Sequence, residues 1–144
     1  MSEKLGHDWL TAHVPHQGPM SLLDEVVHWD FGRLAARASG HRDARHPLRR
    51  HGMLPAVCAI EYGAQAVAAH GALLANGMPA RGFLASVRGV SLRVDRLDDI
   101  EEPLEVEVQR LGGGAHGLLY AFRVSAAARV LAAGRLTIAL QAAR

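Results

Sequence analysis

One cysteine, Cys58, in 144 residues rules out an internal disulfide, and that scarcity fits a reducing compartment, the cytoplasm. Aromatic residues are 5% of the chain, so a core must be filled by Ala, Val and Leu within the 49% that is hydrophobic. Neither charge sign dominates: 16 Lys and Arg stand against 14 Asp and Glu. With no aromatic–basic interleaving, nothing points to a nucleic-acid binder. No Cys and His residues share zinc spacing, so no metal site is expected. The start lacks the apolar run of a signal peptide. No segment has the apolar length of a membrane span; the nearest, 52–77, is interrupted by Glu61, Gln65 and His70. The length suits one domain over 1–144.

What is present is organised around that stretch, GMLPAVCAIEYGAQAVAAHGALLANG. It predicts one long helix, with Pro55 in its first turn and Gly77 followed by Pro79 as its stop. The helix is apolar or small nearly all round, the composition of a buried helix. A single acid, Glu61, sits in its second turn with no Lys or Arg within a turn of it. A buried carboxylate costs several kcal/mol unless it is paired or protonated. A solvated acid at a helix end or a subunit seam is the bland alternative. Gln65, at i+4 on the same face, is placed to orient Glu61.

Before the helix, residues 1–13 are polar, with Trp9 and Leu10 placed to dock as a short helical turn. Pro15, Gly18 and Pro19 then force a rigid loop holding His16. Glu25–Asp30 and Arg33–Ser39 predict a hairpin turning at Phe31-Gly32. Gly40–His51 is a loop crowded with Arg42, Arg45, Arg49 and Arg50 and with His41, His46 and His51. It reads either as solvated surface or as a landing patch for an anionic partner. After the helix, alternation runs through Phe83, Ala85 and Val87 and resumes in opposite phase at Val90, Leu92 and Val94, which predicts a bulge at Gly89. Arg96–Pro103 reads as an acidic turn. Leu104–Leu111 alternates with Leu104, Val106 and Val108 inward, and Gly112–Gly114 reads as a turn. Leu118–Ser125 and Val130–Leu140 complete the strands, with Gly134 a second bulge or a close backbone approach. Two strands, a helix and four strands give an α+β domain. A helix apolar on every side needs more cover than one sheet, so a homodimer at minimum is expected.

Two stretches resemble a known family. PHQGPMSLLDEV is similar to the opening PHxxPxLLxD signature of hotdog-fold 3-hydroxyacyl-acyl-carrier-protein dehydratases, and LPAVCAIEYGAQA to their PGVLxxEAxAQ helix start. FLASVRGVSLR resembles the strand that follows. The wording around HPLR and LPAVCAIEY looks closest to the branch from aryl-polyene and flexirubin-type pigment clusters. The resemblance implies a hotdog fold, a curved antiparallel sheet of about six strands wrapped around one long central helix. It also implies removal of water from a 3-hydroxyacyl thioester carried on the phosphopantetheine of an acyl carrier protein, with no other cofactor. By position, Glu61 is the acid at the departing hydroxyl, and the N–H groups of Ala56 and Val57 polarise the thioester carbonyl, with Gln65 beside them. The base is a histidine. At the family's spacing from the acid stands Pro47, so His46, one place earlier, is the first candidate and His16 the second; His41 and His51 rank lower. Ala56 replaces the family's Gly. In the family the acid and the histidine of one site come from different protomers, which agrees with a homodimer or higher oligomer, or with pairing to a second hotdog dehydratase. Arg45, Arg49 and Arg50 would then steer an acidic carrier protein. The rival readings are a hotdog acyl thioesterase, which would release a free acid, and a non-catalytic acyl-binding subunit.

Overall fold

The computed structural model describes residues 4–14, 20–75, 82–114 and 117–140. Helix α1 (His7–His13) carries Leu10 into the core. Strands β1 (Glu25–Trp29) and β2 (Arg33–Ala38) form the expected hairpin, closed by Asp30, whose carboxylate accepts from the backbone N–H groups of Gly32 and Arg33. After the 40–55 loop, a 3-10 turn (Ala56–Cys58) leads into α2 (Ala59–Leu74). Strands β3 (Gly82–Leu92), β4 (Leu104–Gly113), β5 (Gly117–Ala126) and β6 (Arg129–Leu140) follow. All pairings are antiparallel, in one six-stranded sheet ordered β1-β2-β4-β5-β6-β3.

Alternation sets which face is buried. Leu34, Ala36 and Ala38 of β2, Leu104, Val106 and Val108 of β4, and Tyr120, Phe122, Val124 and Ala126 of β5 all point to α2 and are buried. The helix packs on β2, β4 and β5 at one close approach. A Cβ on Gly63 would lie 2.9 Å from the Phe122 ring, and one on Gly134 would lie 2.9 Å from its far side and 3.2 Å from the Val90 backbone. Gly134 is therefore a close approach; its pairing with Phe122 is unbroken, so it is not a bulge. The expected bulge lies in β3, where the register shifts between Arg88 and Ser91 and Gly89 takes φ +60°. A second shift falls between Leu84 and Ser86.

Three expectations change. The stretch Gly112–Gly114 is not simply a turn: β4 runs through Gly113, and the Gly114 N–H reaches the Gly117 carbonyl. Pro55 precedes the helical turn instead of opening it, in an extended conformation (ψ 146°). Within one chain the 3-10 turn and α2 are not buried all round: Val57 in the turn is 51% exposed, and Glu61, Ala64, Ala68 and Gly71 of α2 behind it are half-buried. The expected stop at Gly77 and Pro79 lies outside the described residues. Among the described residues no helix is long and apolar enough to cross a membrane.

Candidate active site

The start of α2 is fixed from the strand side. Asp98, with 6% of its side chain exposed, takes Arg96 through both carboxylate oxygens and accepts the Leu54 N–H at 2.9 Å. The guanidinium and the backbone donor hold its carboxyl far below the ordinary carboxylate range. The Leu97 N–H closes on the Leu54 carbonyl at 2.8 Å, and the Ala56 N–H donates to the Asp95 carbonyl at 3.0 Å. Ala56 therefore has no N–H left for a thioester oxygen, contrary to its expected role. Among the described residues nothing accepts the Val57 N–H, and Val57 is exposed. That single donor opens onto the half-buried stripe one turn before Glu61.

Glu61 is half-buried and hydrogen-bonds no described residue. Ile60 and Ala64 beside it are also half-buried, so one chain alone does not submerge the carboxylate. Gln65 does not orient it. The Gln65 side chain is buried and turned to the opening motif, where its Oε1 accepts the Leu22 N–H at 2.9 Å and its amide donates to the Met20 carbonyl at 2.6 Å. It ties Met20–Leu22 to the helix, and Leu22 and Leu23 are buried in the core. Asp24 continues the tie, its Oδ2 accepting from the Ser39 N–H and hydroxyl at 2.8 and 2.7 Å.

The histidines divide by partner. His46 is 8% exposed. The Leu48 N–H donates to its Nδ1 at 3.1 Å, and its Nε2 lies 2.9 Å from the Tyr62 hydroxyl. A backbone N–H can only donate, so Nδ1 holds the lone pair and the neutral ring carries its proton on Nε2. Neither nitrogen is left to abstract a proton, which sets the first-ranked base candidate aside in this conformation. Burial, with Arg49 and His41 nearby, pushes its pKa down. His41, 1% exposed, donates from Nε2 to the Ile100 carbonyl at 2.8 Å, and its Nδ1 is buried with no hydrogen-bond partner among the described residues. His51 is exposed, at φ 53° in the turn before Met53. His16 lies outside the described residues. His70 donates from Nε2 to the Asp30 carbonyl at 2.8 Å and accepts the Tyr120 hydroxyl on Nδ1 at 2.6 Å, a structural role.

The basic loop also divides. Arg45 is 91% exposed at its side chain, and Arg50 is exposed. Arg49 is only 16% exposed, and its guanidinium donates to the carbonyls of Arg42, Asp43 and Gly52. It staples the loop and is not displayed to a partner, which removes it from the expected docking set. Tyr62 and Asp98 were not singled out by the sequence, because their partners lie in distant segments; the polar pair Glu61-Tyr62 in an apolar helix was the only available signal.

The family model for ApeP-like dehydratases, described as ApeP dehydratase, matches residues 10–143. The chain belongs to the ApeP-like dehydratase family. Among solved structures, the dehydratase heterocomplex ApeI:P from Xenorhabdus doucetiae is 23% identical with a TM-score of 0.79, over 92% of this chain and 91% of that one. Zebra fish thioesterase superfamily member 2 is 15% identical with a TM-score of 0.67, over 94% and 95%. No curated protein sequence gives a significant match. The fold is the hotdog fold, six antiparallel strands around one long helix, as the opening-motif and helix-start resemblance implied. The family is a dehydratase family.

Proposed function

We propose that this chain supplies the acid half of a 3-hydroxyacyl-thioester dehydratase site, completed by an imidazole from a second hotdog subunit. Membership of the ApeP-like family supports the reaction class. The observation that carries the residue assignment is the pairing of Glu61 with the unpaired Val57 N–H on one open face of α2. In this reading the Val57 N–H polarises the thioester carbonyl, which acidifies the C2 proton. The histidine of the second subunit removes that proton, and protonated Glu61 delivers a proton to the C3 hydroxyl, which departs as water. The product is a 2-enoyl thioester still attached to its carrier. The second subunit would close over Val57, Ile60 and Ala64 and exclude water from the reacting groups. The similar ApeI:P structure is a dehydratase heterocomplex, which supports pairing with a different hotdog chain as well as with a copy of this one. An acidic acyl carrier protein would approach Arg45 and Arg50, the displayed cations of the loop.

A second reading, a non-catalytic subunit that binds the acyl chain, is favoured by one observation. His41, His46 and His70 are all committed to structural partners or locked in the core. The deciding experiment assays dehydration of a 3-hydroxyacyl pantetheine thioester by the chain alone and mixed with a second hotdog dehydratase. Glu61→Gln is expected to lower turnover by about two to four powers of ten with the fold intact. Equal turnover by Glu61→Gln would remove Glu61 from the chemistry. Release of a free acid would indicate a thioesterase, and tight binding without turnover the non-catalytic subunit.

A further inference from the structure

The two buried histidine–tyrosine pairs have opposite polarity. In the pair of His70 and Tyr120, the Asp30 carbonyl forces the ring proton onto Nε2, so Nδ1 receives the tyrosine proton and the pair is closed. In the pair of His46 and Tyr62, the Leu48 N–H forces the ring proton onto Nε2, and that proton goes to the tyrosine oxygen. The Tyr62 hydroxyl proton then has no acceptor among the described residues. A buried donor without a partner is unfavourable, so the site favours an acceptor in the space beside it.

There is room for one. Tyr62 and His46 border a cavity of about 360 Å³ between the opening motif and the 40–47 loop, together with Ser21, Asp24, Gly40 and Arg45. This volume falls in the range of about 300–1,000 Å³ typical of small-molecule sites. Its wall offers a complementary acceptor: Asp24 commits Oδ2 to Ser39, and Oδ1 has no partner among the described residues. Asp24 and Asp43 at the wall oppose an anion, and Arg45 opposes a cation. A neutral group with one acceptor and one donor matches what is left, and an amide is such a group.

We infer that this cavity grips an amide of the pantetheine arm, its carbonyl accepting from the Tyr62 hydroxyl and its N–H donating to Asp24. The inference rests on the proposed thioester substrate and gives it a second point of attachment, away from Glu61. His46 is then a positioning residue, holding the Tyr62 oxygen so that its proton faces the cavity. The test is titration of the full chain with reduced pantetheine, followed by nuclear magnetic resonance of the backbone amides. Saturable shifts are expected at residues 20–24 and 40–48. Tyr62→Phe, which deletes only the hydroxyl, is expected to weaken binding roughly tenfold. Tyr120→Phe makes the same deletion in the closed pair and is expected to leave affinity within about twofold. Gly40→Leu adds bulk at the cavity wall, where a Cβ meets no atom within 4 Å, and is expected to weaken binding. Affinity unchanged in both Tyr62→Phe and Gly40→Leu, or no saturable binding, would overturn the inference. Binding as described without dehydration would sink the proposed reaction and leave this site standing. Dehydration with binding insensitive to both variants would do the reverse.

Discussion

Asp98 joins an ion pair to a backbone cap at one carboxylate, and the Leu54 N–H that it accepts belongs to a fully buried residue. Asp98→Ala is expected to destabilise the fold by about 1–3 kcal/mol through that orphaned donor alone, read from urea unfolding. An unchanged midpoint would mean that water reaches Leu54. The buried histidines make stability depend on pH near neutrality. Burial lowers the pKa of His41, His46 and His70 from the ordinary 6.5, outweighing the Ile100 and Asp30 carbonyls at His41 and His70. Above that value all three are neutral in both states, and their contribution is at its full value. As pH falls through 6.5 the unfolded chain takes protons first, so stability drops until the folded values are reached. Thermal unfolding at pH 7.5 and 5.5 is expected to show the lower Tm at 5.5; a rise would contradict burial of the neutral rings. Glu61, Gln65 and His46 were legible because each is an odd residue type in an apolar helix or beside a proline. Their partners were not. Gln65 meets Leu22 across 43 residues and Leu54 meets Asp98 across 44, and no local pattern encodes such pairs.

The turn between β5 and β6 places two alanines at positive φ, Ala127 at 49° and Ala128 at 64°. Left-handed backbone costs an L-residue roughly 1–2 kcal/mol, and tight hairpins favour Asn-Gly for that reason. The double substitution Ala127→Asn with Ala128→Gly is expected to stabilise the protein by about 1–2 kcal/mol, measured as a raised unfolding midpoint. A lowered midpoint would show that the alanine methyls make contacts worth more than the backbone strain. Period-two alternation placed β4 and its buried face from sequence, the strand segments of β2 and β5 were legible without a face, and the phase flip at Gly89 located the bulge. Glycine was the weak letter. Gly112 and Gly113 read as a turn yet pair in β4, because a glycine without side-chain pattern looks the same in an exposed strand end and in a loop.

Among the described residues, the single chain leaves open a stripe along its helix and an edge of its sheet. Along the 3-10 turn and α2, Val57, Glu61, Ala64, Ala68 and Gly71 recur at spacings of four and three, a seam suited to a second helix lying alongside. At the sheet end, β3 pairs only with β6, so one edge has no strand beside it among the described residues. The small residues of the seam would let a second backbone come close, and in the proposed reading that approach would cover Glu61, so assembly and turnover should fail together. Ala68 lies two turns beyond Glu61 on this seam, half-buried and outside the proposed reacting groups. Ala68→Arg is expected to keep the folded chain, since its side chain can extend into the open face, while blocking the seam sterically and by burying a charge. Light scattering would then read a monomer mass where the parent chain is larger, or loss of a mixed complex with a second hotdog subunit, and dehydration would fall with it. An unchanged mass and unchanged turnover would place the interface elsewhere and leave Glu61 to find its apolar cover from the substrate alone.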